Sequence, residues 1–314
     1  MKVNLHPKIL RFLERASESQ VPSLASLPLS EARDYGNSVL SGLASPTEEL
    51  KVVANDMCIS CPIGKIPIRA YQPEGKPPFP ALVFFHGGGW VLGNLDTHHS
   101  ICSSLAFFAK IIVVSVDYKL APEHKFPAAI EDARTALDWV YDHADQLSID
   151  RSRIAVGGDS AGANIATVLS IINRDEGLNP PAFQLLVYPV TNLSSFETQS
   201  YRKYAEKYIV KHSTMEWFRS HYISSKKELK NHLVSPLLTD NLRGLPPAFI
   251  ITAEYDILKD DGCAYAEKLK SFGVPVKYKC YNRMIHLFWG INVLNNFENG
   301  IHETANTLRE IFKN

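Results

Sequence analysis

Runs of β-type residues alternate along the chain with segments whose apolar positions recur every three or four residues. The runs cover residues 81–85, 111–116, 154–156, 183–187, 248–252 and 276–281. Those with no polar residue suit strands covered on both faces, as in a parallel sheet. Between them, Ile130, Ala133, Leu137, Val140, Tyr141 and Ala144 mark one face of a helix. Residues 161–172 have helical composition, and Tyr265, Leu269 and Phe272 share a face of a helix over about 260–272 that Gly273 and Pro275 close. A last helix is expected over about 296–312. This alternation predicts an α/β fold with a mostly parallel, doubly wound central sheet and helices on both of its faces.

Two stretches depart from the alternation. Residues 1–44 read as amphipathic helix, with Leu5, Ile9, Phe12 and Leu13 at helical spacing and Pro22, Pro28 and Gly36 expected to break it into short pieces. Residues 191–241 are helical and rich in aromatics: Phe196, Tyr201, Tyr204, Tyr208, Trp217, Phe218 and Tyr222. An insertion there would lie beyond the carboxyl ends of the strands, over a cleft. Lys226, Lys227 and Lys230 within it read as a solvated face. Residues 50–71 carry short β-type runs, and residues 73–80 form a proline-rich turn.

Composition narrows the class. The 314 residues suit one large domain with an elaboration; 45% hydrophobic and 21% charged residues are ordinary for a globular chain. Formal net charge is zero, so no electrostatic footprint for nucleic acid or an anionic membrane is present. The N-terminus lacks the uninterrupted apolar core of a signal peptide, and no apolar stretch is long enough to span a bilayer. Five cysteines, an odd number, point to reduced thiols and a cytoplasmic setting. Cys58 and Cys61 form a lone C-x-x-C in a strand-like segment without the further ligands a metal site needs. Asp96, His98 and His99 read as polar helix-start residues and not as metal ligands, because no third ligand at suitable spacing accompanies them.

The candidate chemistry sits where strands meet loops. Gly158-Asp159-Ser160-Ala161-Gly162 lies between a β-type run and a helix, so Ser160 occupies a strand-to-helix corner. A corner that sharp wants glycine at Gly158 and Gly162, where any Cβ would crowd the neighbouring strand or helix. By itself the pattern is weak, since background composition produces it in about one chain of this length in ten. His86-Gly87-Gly88-Gly89-Trp90 is rarer; three glycines in a row suit backbone amides that must approach a ligand closely. A phosphate cradle would want a Lys-Ser/Thr end, which does not follow. Asp256 and His286 each follow a predicted strand, on the same side of the sheet as Ser160. A serine needs a base, and the base needs an orienting group. The chain order Ser160, Asp256, His286 is the order found in α/β-hydrolases.

Together with Tyr118-Lys119-Leu120-Ala121-Pro122-Glu123, these stretches resemble the hormone-sensitive-lipase-like carboxylesterases, also called bacterial family IV esterases, over about residues 52–312. The resemblance implies an α/β-hydrolase with Ser160 as nucleophile, His286 as general base and Asp256 as its orienter. It further implies an oxyanion hole from the amides of Gly88, Gly89 and Ala161, a loop shaped by Gly87 and anchored by His86, and a cap formed by about residues 1–45 and 191–241. No metal or cofactor is implied. The expected substrate is a small-molecule ester with a short to medium acyl chain, and activity should fall in acid. Amide hydrolysis or deacetylation by the same triad is the alternative, with a non-catalytic small-ligand receptor behind it. A homodimer through an edge strand is compatible with the family. Two departures fall beside His286: Arg283 and Leu287 stand where the family has glycine, so the turn is expected to differ locally if either glycine serves a positive φ.

Overall fold

The computed structural model describes residues 4–18, 23–43, 50–61, 64–291, 294 and 300–313. An eight-stranded sheet forms its centre: β1 (Val52–Cys61), β2 (Gly64–Pro73), β3 (Phe79–Phe85), β4 (Ile112–Val116), β5 (Ile149–Asp159), β6 (Gln184–Val187), β7 (Ala248–Tyr255) and β8 (Val276–Ile285). Their spatial order is β1-β2-β4-β3-β5-β6-β7-β8. From β4 to β8 all neighbours pair in parallel, whereas β1–β2 and β2–β4 are antiparallel. The expected α/β architecture is thus present. Its apolar runs are buried on both faces: β3 from Ala81 to Phe85 and all of β4 are inaccessible to solvent. The antiparallel hairpin β1–β2 is where exposure rises, and Cys58 and Cys61 lie on its outer strand as free thiols.

The chain runs from β3 to β4 on one side and then returns past β3 to β5 on the other. Crossovers leaving β3 and β5 therefore diverge, opening a crevice at the carboxyl ends of the two strands. The glycine-rich loop follows β3, and Ser160 follows β5. The crossover helices are α3 (His99–Ala109), α4 (Ala128–Asp142), α5 (Ala161–Asp175) and α8 (Lys259–Ser271). α5 is buried along almost its whole length, which fixes the corner that precedes it.

Outside the sheet, α1 (Pro7–Glu18) and α2 (Leu29–Leu43) precede β1, and α6 (Gln199–Tyr204) and α7 (His212–Tyr222) occupy the insertion after β6. α9 (Ile301–Ile311) packs with α3; the start expected for it near residue 296 lies outside the described residues. Three expectations change. Gly36 does not interrupt a helix: it lies inside α2, where a Cβ would come within 2.6 Å of the Leu92 side chain, so its role is close packing. Leu5 precedes α1 and is buried there. β8 continues to Ile285, which places His286 directly at a strand end. Pro22, also expected to break a helix, lies outside the described residues. Lys226, Lys227 and Lys230 are exposed, as a solvated face requires.

Candidate active site

Ser160 has φ 55° and ψ −115°, a conformation that L residues rarely adopt. It is held by its own backbone: its N–H donates to Val187 O at 2.8 Å, and its carbonyl accepts from Asn164 and Val190 N–H at 3.2 and 3.3 Å. Asn164, buried one turn into α5, donates through Nδ2 to Val190 O and Val234 O. The two flanking glycines are sterically obligatory. A Cβ on Gly158 would fall 2.3 Å from Phe85 O, and one on Gly162 would fall 1.9 Å from the same atom.

His286 Nδ1 lies 2.7 Å from Asp256 Oδ2, with both side chains buried. The other carboxylate oxygen accepts the Leu258 N–H at 2.9 Å, so Asp256 cannot swing away without losing a backbone bond. A carboxylate at Nδ1 holds the proton there and leaves the Nε2 lone pair available. The β7–β8 register shifts between Ala253 and Tyr255, just before Asp256; irregularities of this kind re-aim side chains beside functional sites. The Tyr188 ring packs on the imidazole, 4.3 Å between centroids, and Tyr188 adjoins the Val187 carbonyl that holds Ser160. Among the described residues no hydrogen bond within 3.5 Å joins the Ser160 hydroxyl to His286. Nucleophile–base bonds are often long until a substrate is engaged.

Opposite lies the glycine-rich loop. Gly88 and Gly89 have φ 121° and 61°, and a Cβ on either would fall 2.2 Å from another atom, Leu92 O or the Phe218 ring of α7. Among the described residues, the amides of Gly88, Gly89 and Ala161 donate to no protein acceptor. His86 stacks on Tyr118 at 4.3 Å, the Tyr118 hydroxyl donates to His86 O at 2.7 Å, and His86 Nδ1 lies 2.8 Å from Gly87 O. Burial pulls the His86 pKa down to about 3, so the ring is a neutral prop. Lys119, where the family has arginine, pairs with the buried Asp132 at 2.7 Å.

One pair was not expected from the sequence. Gly87 N–H donates to Asp159 Oδ1 at 2.9 Å, and His98 Nε2 lies 3.1 Å from the same oxygen. His98 stands at the start of α3, as expected, but it and Asp159 are buried, 3% and 1% exposed. Burial raises the Asp159 carboxyl pKa, but His98 and the Gly87 amide outweigh it and hold the group below its ordinary value. Asp159 thereby ties the Ser160 corner to the glycine-rich loop. Its place inside the Gly158–Gly162 corner was the available signal. Asp96 and His99 go elsewhere: Asp96 pairs with Arg69 at 2.8 Å, and His99 Nδ1 lies 3.2 Å from the Tyr71 hydroxyl.

The helices outside the sheet grip both halves. From α2, Arg33 pairs with Glu123 and donates to Val91 O at 3.0 Å and Ala121 O at 2.7 Å. Tyr222 of α7 stacks on Trp90 at 4.1 Å, and Tyr204 and Tyr208 pack on Tyr255. Much of the insertion's aromatic area therefore fastens it to the loops beneath.

The sheet order and the strand-to-helix corner define an α/β-hydrolase. A family description, "alpha/beta hydrolase fold", matches residues 82–290. The chain is 39% identical over 270 residues to the carboxylic ester hydrolase LipN of Mycobacterium tuberculosis, covering 84% of this chain and 70% of that one. It is 35% identical to an arylesterase of Saccharolobus solfataricus over 289 residues, 91% of this chain and 92% of that protein. The structure of a hyperthermophilic esterase from the archaeon Pyrobaculum calidifontis superposes with a TM-score of 0.90 at 36% identity, covering 98% and 99% of the two chains. The chain belongs to the α/β-hydrolase family, in its hormone-sensitive-lipase-like branch.

Proposed function

We propose that this chain is a serine carboxylesterase that hydrolyses small esters of short to medium acyl chain through an acyl-enzyme on Ser160. It is a carboxylic ester hydrolase by kinship with its esterase relatives. The observation that carries the residue assignment is the buried Asp256–His286 pair at 2.7 Å, set at the same sheet edge as a serine in a strained corner. Ser160 Oγ attacks the ester carbonyl as His286 Nε2 takes its proton, and Asp256 stabilises the resulting imidazolium. The negative oxygen is received by the amides of Gly88, Gly89 and Ala161, each such donor being worth about 3 kcal/mol. His286 then protonates the leaving alcohol, and water repeats the sequence in reverse to free the acid.

About residues 1–45 and 191–241 serve as the cap in this reading. Their contacts with the oxyanion loop through Arg33, Phe218 and Tyr222 support that role. No described helix is long and apolar enough to cross a membrane. The five free cysteines support a reducing, cytoplasmic setting, and the terminal position of β8 in the sheet supports pairing into a homodimer. Sedimentation velocity checks the latter, and a monomer at micromolar concentration would contradict it.

Replacing Ser160 by Ala tests the function. Turnover of p-nitrophenyl butyrate should fall by about four to six powers of ten with the folded state retained. Turnover near the wild-type rate would remove Ser160 from the mechanism. A series from acetyl to palmitoyl esters, with paired amides, reads the chain-length preference and separates esterase from amidase.

A further inference from the structure

Two left-handed residues that are not glycine flank His286: Arg283, inside the end of β8, at φ 66° and Leu287, just after His286, at φ 70°. An L side chain in that region is crowded by its own backbone, and such a conformation persists only where the surroundings over-determine it. Arg283 is held at its N–H, its carbonyl and two guanidinium nitrogens. Its N–H donates to Glu254 Oε2 at 2.8 Å, and its carbonyl accepts the His6 N–H at 2.9 Å. Its guanidinium donates through Nε to Asn4 O at 3.2 Å and through Nη2 to Leu5 O at 3.1 Å. Asn4 N–H in turn donates to the Tyr255 hydroxyl at 3.1 Å, next to Asp256. Leu5 is buried and pins the segment. Residues 4–6 thus cross the ends of β7 and β8 together.

We propose that residues 4–6 form a strap that keeps Arg283 left-handed at the end of β8, and so positions His286 against Asp256 and Ser160. Arg283 is a positioning residue. It has no contact with a reacting atom and acts through the buried Met284 and Ile285 that lead to His286. Where a glycine would hold the turn by its own conformational freedom, this chain holds it by four hydrogen bonds to one residue. The proposal rests on His286 being the base.

The test uses the full-length protein with two substitutions that both delete the guanidinium. Arg283→Ala keeps a Cβ at positive φ; Arg283→Gly does not. Arg283→Ala should lose kcat by about tenfold with KM within about twofold, as a displaced catalytic group does. Arg283→Gly should recover most of that loss, because glycine adopts the left-handed conformation unaided. A contact that mattered only as packing would lower both variants alike. Equal kcat in the two, whether both near wild type or both low, would overturn the proposal. Should the alanine variant not fold at the assay temperature, Arg283→Lys replaces it. Lys keeps the Cβ and the charge but reaches only one carbonyl, and the same ordering against glycine is expected. Wild-type turnover and its loss in Ser160→Ala, measured with Arg283 intact, test the hydrolase reading separately.

Discussion

The loop after β3 and the end of β8 both carry backbone that L side chains resist. They meet the need in opposite ways. The β3 loop omits the Cβ: Gly88 and Gly89 sit at positive φ with Leu92 and Phe218 filling the space a side chain would take. The end of β8 keeps its side chains, Arg283 in the strand and Leu287 just beyond His286, and the first is tied down by Glu254 and the N-terminal segment. The difference matches the load on each. Amides that must receive an oxyanion need bare backbone facing the substrate. The histidine turn needs only to hold still, and hydrogen bonds from outside the site can do that. One half is thus intolerant of any added atom, while the other depends on a distant part of the chain.

The largest expected effect is at the corner both regions share. Gly162→Ala places a Cβ 1.9 Å from Phe85 O, a backbone atom that cannot yield. Stability should fall by about 4 kcal/mol, measured by chemical denaturation; a loss under about 1 kcal/mol would show that the corner can relax. Next comes Gly89→Ala, which adds both a positive-φ side chain and a clash with Phe218. Its kcat should drop by about a hundredfold, comparable to removing one oxyanion donor. If it matched Arg283→Ala instead, the contrast between the two sides would fail.

The smallest effect is one of pH. His86 is held neutral by burial, with its pKa pulled down to about 3, while the unfolded ring takes a proton near about 6.5. Between those values the unfolded chain binds the extra proton, so His86 makes stability fall as pH falls, by about 1.4 kcal/mol per pH unit. The slope of unfolding free energy between about pH 4 and 6 should therefore be shallower in His86→Asn by that amount. Equal slopes would show that the ring is not held neutral beneath the glycine-rich loop.

Much of this was legible in the sequence because it rests on local rules. β-type runs and three-to-four-residue periodicity reveal the sheet and its crossover helices. Gly158 and Gly162 announce a corner whose crowding the structure makes explicit. What escaped depends on contacts between distant positions. Nothing near His98 indicates that Asp159 lies against it, since the two are 61 positions apart in the chain. Gly36 looks like a breaker until Leu92 is seen against it. Arg283 and Leu287 read as a reason for the turn to differ, yet both are left-handed, as glycines would be, and at Arg283 residues 4–6 and Glu254 hold the backbone. The aromatics of residues 191–241 mark an insertion, but that several of them pack on Trp90 and Tyr255 is visible only in the fold.

The proposed mechanism requires a Ser160 hydroxyl that becomes nucleophilic when His286 reaches it, and covalent capture reads this directly. Incubation with a fluorophosphonate, followed by intact-mass measurement and peptide mapping, should yield one adduct per chain, on Ser160. An unmodified protein at saturating probe, or an adduct on any other residue, would contradict it.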